Sequence, residues 1–212
     1  MAESLVERGK KIIQVLRKTY SDNECALHHK NPFQLLISTI LSAQCTDKRV
    51  NMVTPGLFKK YPNALAFAQA PIRDIEKEIK STGFYKNKAK SIQNCCRILA
   101  TRYRGKVPKT LEELVKLPGI GRETANVVLG VAWGIPGIVV DTHVKRLTYR
   151  MGLTKQTDPE KIEFEMMKII PKKDWIDFGL LLIAHGRAIC DARKPKCEIC
   201  PINNICPKRG VK

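Results

Sequence analysis

The stretch Leu117-Pro118-Gly119-Ile120-Gly121-Arg122-Glu123-Thr124-Ala125 is a glycine-punctuated hairpin between two helical patterns, and the rest of the chain is organised around it. Gly119 and Gly121 permit a tight backbone path that bulkier residues resist, and they let the second helix begin with its amides uncovered. Unpaired amides and the helix dipole both favour negative charge there, so the hairpin reads as a phosphate cradle with Arg122 beside it. Glu123 fits such a site poorly, because a carboxylate repels phosphate. An acid in the first turn of an ordinary helix is nonetheless mildly stabilising.

Upstream of the hairpin, Thr110 and Glu113 form a capping-box pattern that starts the helix LEELVKL. Before it, a helix from about residue 86 to 103 turns Ala89, Ile92, Cys96 and Leu99 inward and sets Lys86, Lys88 and Lys90 on a solvated face. Gly83 ends the preceding helix, which begins at Pro71, and Phe84-Tyr85 follows directly. Such aromatics are usually core, but in a basic protein an exposed one can wedge into a base stack. Asn31-Pro32 opens the apolar helix PFQLLISTILSAQ, which ends in the polar break Ser42-Ala43-Gln44-Cys45-Thr46-Asp47. Capping of the next helix by Thr46 or Asp47 is the plainest account of that break. Residues 4–19 form an amphipathic helix.

Downstream, a helix over 124–133 is stopped by Gly134 and Pro136. The short run Ile138-Val139-Val140 delivers Asp141-Thr142-His143 to the start of another helix, where Asp141 or Thr142 suits an N-cap. Asp158-Pro159 starts a further helix, and a last one spans about 175–189. No pair of alternating-pattern segments is joined by a hairpin turn, so the expected class is all-α.

Lysine and arginine number 38 against 20 acids, a net charge of +18 that points to a polyanionic partner, nucleic acid first. No apolar run approaches the roughly 18 residues of a membrane-spanning helix. The opening residues MAESLVERGKK lack the pattern of a signal peptide, and a cytoplasmic protein is expected, nucleoid-associated if bacterial or archaeal. Cys190, Cys197, Cys200 and Cys206 follow the spacing C-x6-C-x2-C-x5-C among prolines and charges. Four thiolates in so tight a loop suit zinc or an iron–sulfur cluster, and ligand softness does not separate the two. Lys194 and Lys196 lie within the loop, so the metal would shape a basic surface that meets phosphate. Cys25, Cys45, Cys95 and Cys96 are scattered and read as structural.

The hairpin LPGIGRETA, the downstream VDTH and the C-terminal four-cysteine loop, in that order, resemble the endonuclease III family of helix-hairpin-helix DNA glycosylases. The resemblance covers essentially the whole chain and carries the family's own [4Fe–4S] spacing. It implies a six-helix barrel over about residues 25–136, a cluster domain from 1–24 and 137–212, and duplex DNA with a damaged or mismatched base or abasic site held in the cleft between them. A monomer is implied, acting in base excision repair, with oxidised pyrimidines the leading substrates. Gln44 and Phe84 match the family's gap-filling and wedging positions. Asp141 matches the aspartate that stabilises positive charge on the sugar, and Asp47 and His143 are candidates to line the base pocket. At position 123, bifunctional members carry a lysine whose amine forms a Schiff base and permits strand cleavage. Glu123 cannot form that imine, so AP lyase activity is not expected. Monofunctional relatives, such as adenine- and thymine-mismatch glycosylases, carry other residues there and use water. Three readings follow: a natural monofunctional glycosylase, a bifunctional enzyme inactivated by an engineered Glu123, and a non-catalytic lesion-recognising protein.

Overall fold

Side-chain caps set most of the helix starts. The computed structural model describes residues 4–21 and 24–211. Residues 1–3, 22, 23 and 212, which the sequence reading assigns to the cluster-bearing part, lie outside the described residues. Helix α1 (Leu5–Thr19) opens with a reciprocal capping box between Ser4 and Glu7. Asn31 caps α2 (Pro32–Ser42), whose first residue is the expected proline. Thr46 caps α3 (Asp47–Lys60) by accepting from the Arg49 amide at 3.3 Å. Asn63 caps α4 (Ala64–Gln69), which sequence periodicity missed because ALAFAQ is too short and too uniformly apolar to show a period. Helix α5 (Ile72–Ile79) runs into a 3-10 turn over 80–82 that Gly83 ends at φ +71°. Then come α6 (Tyr85–Arg102), the short α7 (Leu111–Leu114) and α8 (Arg122–Trp133). Asp141 caps α9 (Thr142–Arg150), Asp158 caps α10 (Pro159–Ile169), and α11 (Trp175–Ala188) follows. Among the described residues every regular element is helical.

The chain divides into two compact units, Cys25–Ile135 and Met1–Glu24 with Pro136–Lys212. In the first, Leu35, Leu36, Ile37 and Leu41 of α2 join Ala125 and Val128 of α8 and the inward residues of α6 in one core. Each such aliphatic side chain contributes about 1.5–3 kcal/mol by leaving water. Cys95 and Cys96 are fully buried in this core, and burial pushes the Cys95 thiol up to about 12, the mark of a structural cysteine. In the second unit, Ile12, Ile13 and Leu16 of α1 share a core with Leu147 of α9, Met166 of α10 and Leu181 and Leu182 of α11. Gly9 lets α1 approach closely, since a Cβ there would meet the Ile170 side chain at 2.9 Å.

One expectation is corrected. Lys88 does not lie on a solvated face with Lys86 and Lys90, because it is only 6% exposed. Its ammonium donates to the carbonyl of Leu41 at 2.8 Å and to that of Thr82 at 2.7 Å. Two carbonyl oxygens at the ends of other elements stabilise a charge that helical periodicity alone would put in water.

Candidate functional site

Within the unit Cys25–Ile135, the hairpin is anchored by the apolar residues that punctuate it. Leu117 and Ile120 are buried, and the Ile120 amide donates to the Leu117 carbonyl at 3.1 Å. Gly119 sits at φ +80°, and a Cβ there would meet the Ser91 Cβ on α6 at 2.7 Å, so both backbone shape and helix packing demand glycine. Gly121 is the N-cap of α8 at an ordinary φ of −91° and supplies no side chain to cover the first-turn amides. Arg122 and Glu123 occupy that first turn, with Glu123 exposed.

Two further turns of this unit share an unusual backbone. Gln44 (φ +51°) and Phe84 (φ +47°) are both left-handed although neither is glycine, and each such residue costs about 1–3 kcal/mol. Gln44 is exposed, and Phe84 is 63% exposed. A strained, solvated phenylalanine immediately before a long helix has no part in the core. Asp47 is half-buried in the first turn of α3.

In the other unit, Asp141 begins α9 and accepts from the Val144 amide through Oδ1 at 2.8 Å. That bond fixes the carboxyl group; it engages one oxygen only. His143, two residues on, receives a hydrogen bond on Nδ1 from Arg146 Nη2 at 3.0 Å. Arginine can only donate, so Nδ1 is the acceptor and the ring is neutral with its proton on Nε2. Burial lowers the His143 pKa in the same sense. Gly186 on α11 makes room for this pair, because a Cβ there would meet His143 Nδ1 at 2.5 Å.

The same helix holds the cysteine loop. Arg146 Nη2 donates to the Cys190 carbonyl at 3.0 Å, while Arg150 donates to Cys190 Sγ at 3.4 Å and to the carbonyls of Asp191 and Ala192 at 2.6 and 2.8 Å. The Lys208 amide donates to Cys206 Sγ at 3.4 Å. His185, buried and held by Tyr20, reaches Cys200 Sγ through Nε2 at 3.5 Å. All four cysteines line one small cavity, together with Arg150 and His185. Among the described residues, no group of three or more His, Cys, Asp or Glu side chains is arranged to hold a single metal ion. Four thiols around one cavity, with N–H donors and a guanidinium aimed at sulfur, fit an anionic multinuclear cluster better than one small cation. Burial raises the Cys200 and Cys206 thiol pKa values, and the positively charged iron centres of such a cluster are what would ionise them, the negative charge belonging to the assembly of cluster and thiolates. Lys194 is exposed; Lys196, also exposed, bonds the Ala188 carbonyl at 3.1 Å. Sequence reasoning missed Arg146, Arg150 and His185. The only available signal was the four-residue spacing of the two arginines, which places both on one helical face.

Comparison with known proteins gives this geometry a context. Residues 37–172 match the HhH-GPD superfamily of base excision DNA repair proteins. Residues 190–206, which begin and end on Cys190 and Cys206, match the iron-sulfur binding domain of endonuclease III. Endonuclease III of Synechocystis sp. is 53% identical over 95% of this chain and 92% of its own length. Endonuclease III of Bacillus subtilis is 46% identical over 86% of this chain and 84% of its own. A solved non-covalent endonuclease III–DNA complex superposes with a TM-score of 0.93 at 42% identity, covering 98% of this chain and 97% of that one.

Proposed function

The chain belongs to the endonuclease III family of HhH-GPD base excision repair DNA glycosylases and carries a [4Fe–4S] cluster, and from that premise we propose a monofunctional enzyme that releases damaged bases from duplex DNA by hydrolysis. A base inside a duplex is out of reach, so its nucleotide is flipped out. Gln44 fills the gap left in the stack, and Phe84 wedges beside it. The Gly119 to Arg122 turn binds backbone phosphate through amides and the Arg122 guanidinium. Lys194 and Lys196 add phosphate contacts of the salt-dependent kind. Asp47 and His143 are each candidates for contact with the flipped base, His143 as a donor through Nε2–H, because its Nδ1 already accepts from Arg146.

Asp141 carries the chemistry. Its carboxylate, pinned through Oδ1 by the Val144 amide, stabilises the positive charge that develops on the sugar as the N-glycosidic bond breaks. The base leaves with the electron pair of the broken bond, Asp141 takes a proton from the water that bonds to the sugar carbon, and that proton passes on to the released base. Cys190, Cys197, Cys200 and Cys206 hold the cluster, which when bound ties their loop into one folded element. Oxidised pyrimidines are the expected substrates, and the protein works as a monomer in the compartment that holds the chromosome.

The observation that supports the monofunctional reading is Glu123, exposed in the first turn of α8 where the family resemblance places the Schiff-base lysine. A carboxylate has no amine to condense with the sugar aldehyde. The test is incubation with duplexes carrying an oxidised pyrimidine, a thymine or uracil mismatch, or an abasic site, with and without borohydride, beside Glu123→Lys. Base release without a trapped adduct is expected from the present chain, and Glu123→Lys should gain both trapping and strand cleavage. An adduct formed by the chain with Glu123 would overturn the reading.

A further inference from the structure

We infer that Lys88 is a positioning residue that fixes Gln44 and Phe84 relative to each other, so that the two side chains enter DNA as one device. The inference rests on the assignment of those two residues to gap filling and wedging given above. The turns that carry Gln44 and Phe84 come from different parts of the chain, one after α2 and one before α6. The Lys88 ammonium bridges them. It accepts no bond itself; it donates to Leu41, three residues before Gln44, at 2.8 Å and to Thr82, two residues before Phe84, at 2.7 Å.

Both acceptors are where a fixed cation has most effect. Leu41 lies in the last turn of α2, whose final carbonyls lack intrahelical partners and carry the negative end of the dipole. Thr82 closes the 3-10 turn, is itself only 1% exposed, and bonds the Ile79 carbonyl through its hydroxyl at 2.8 Å. Gly83, next in the chain, has open space around its Cβ position, so side-chain packing at that residue does not hold the turn. Left-handed non-glycine residues persist only where their surroundings over-determine them. Here one buried ammonium supplies that constraint to both turns. Its cost is desolvation, which lowers the Lys88 pKa, and this cost is spent on geometry three residues from one exposed tip and two from the other.

The test uses the cluster-loaded full chain and two duplexes, one undamaged and one with a stable abasic-site analogue opposite 2-aminopurine. Binding and 2-aminopurine fluorescence are compared for Lys88→Met, Lys88→Gln, Gln44→Ala, Phe84→Ala and the combination of Lys88→Met with both alanines. Lys88→Met keeps the stem and removes both bonds. Lys88→Gln is read by the same rule if the methionine variant does not fold. Lesion affinity should fall about tenfold, with undamaged-duplex affinity unchanged, the size expected when charge-assisted bonds are lost. In the background without Gln44 and Phe84, the Lys88 change should have no further effect. Equal losses on both duplexes, or retained lesion discrimination while the alanine variants lose it, would overturn the role of Lys88 alone. Retained discrimination by Gln44→Ala and Phe84→Ala would instead overturn the assignment on which it rests.

Discussion

The hairpin over 117–125 and the cysteine loop over 190–206 are both read as phosphate-binding surfaces, yet they are held together by different forces. The hairpin is a product of ordinary folding: Leu117, Ile120 and Ala125 are buried, and Gly119 packs against α6. In the cysteine loop only Ile202 is buried, and the segment hangs on arginine bonds to its carbonyls and on four thiols around a cavity. Charge on a surface therefore says little about what keeps that surface in shape. One region should survive the loss of any metal; the other should not.

Removing a cluster ligand separates the two most sharply. Cys197→Ser is expected to abolish the broad visible absorbance of the cluster and to cost about 100-fold in DNA affinity, because metal binding and folding of so small a segment are one process. Unchanged affinity at low and high salt would show the loop to be irrelevant to DNA. Asp141→Asn comes next: asparagine caps a helix as well as aspartate, so stability should hold while base release falls about 10²–10³-fold. A parallel loss of melting temperature would reduce Asp141 to a structural cap. Within the hairpin, Gly119→Ala combines a left-handed backbone with a 2.7 Å clash against Ser91, and a loss of about 2–4 kcal/mol is expected in denaturant titration. Gly121→Ala is the smallest change, within about 0.5 kcal/mol, because its φ is ordinary and nothing lies within 4 Å of the added carbon. Equal costs at the two glycines would contradict the packing account of the hairpin.

Much of this was legible in the residues. Thr, Asn and Asp caps marked helix starts, the glycine pair marked the hairpin, and cysteine spacing marked the cluster loop, because each depends on neighbours a few residues away. What the chain hid depends on long-range partners. Lys88 reads as one more surface lysine between Lys86 and Lys90, and its burial depends on two carbonyls, one of them 47 residues back, that accept from its ammonium. Arg146 and Arg150 likewise acquire meaning from carbonyls and sulfur 40 or more residues away. Apolar stripes also overstate burial at helix ends and edges, since Leu5 and Phe164 remain 44% and 47% exposed.

The central claim is base excision without strand scission, and its most direct measurement is a single end-labelled duplex with one oxidised pyrimidine. The products are resolved before and after treatment with hot alkali, which breaks the strand at any abasic site. The account predicts an intact strand before alkali and full-length loss after it, in proportion to enzyme and time. Strand breaks before alkali, or a strand that stays whole after it, would contradict it.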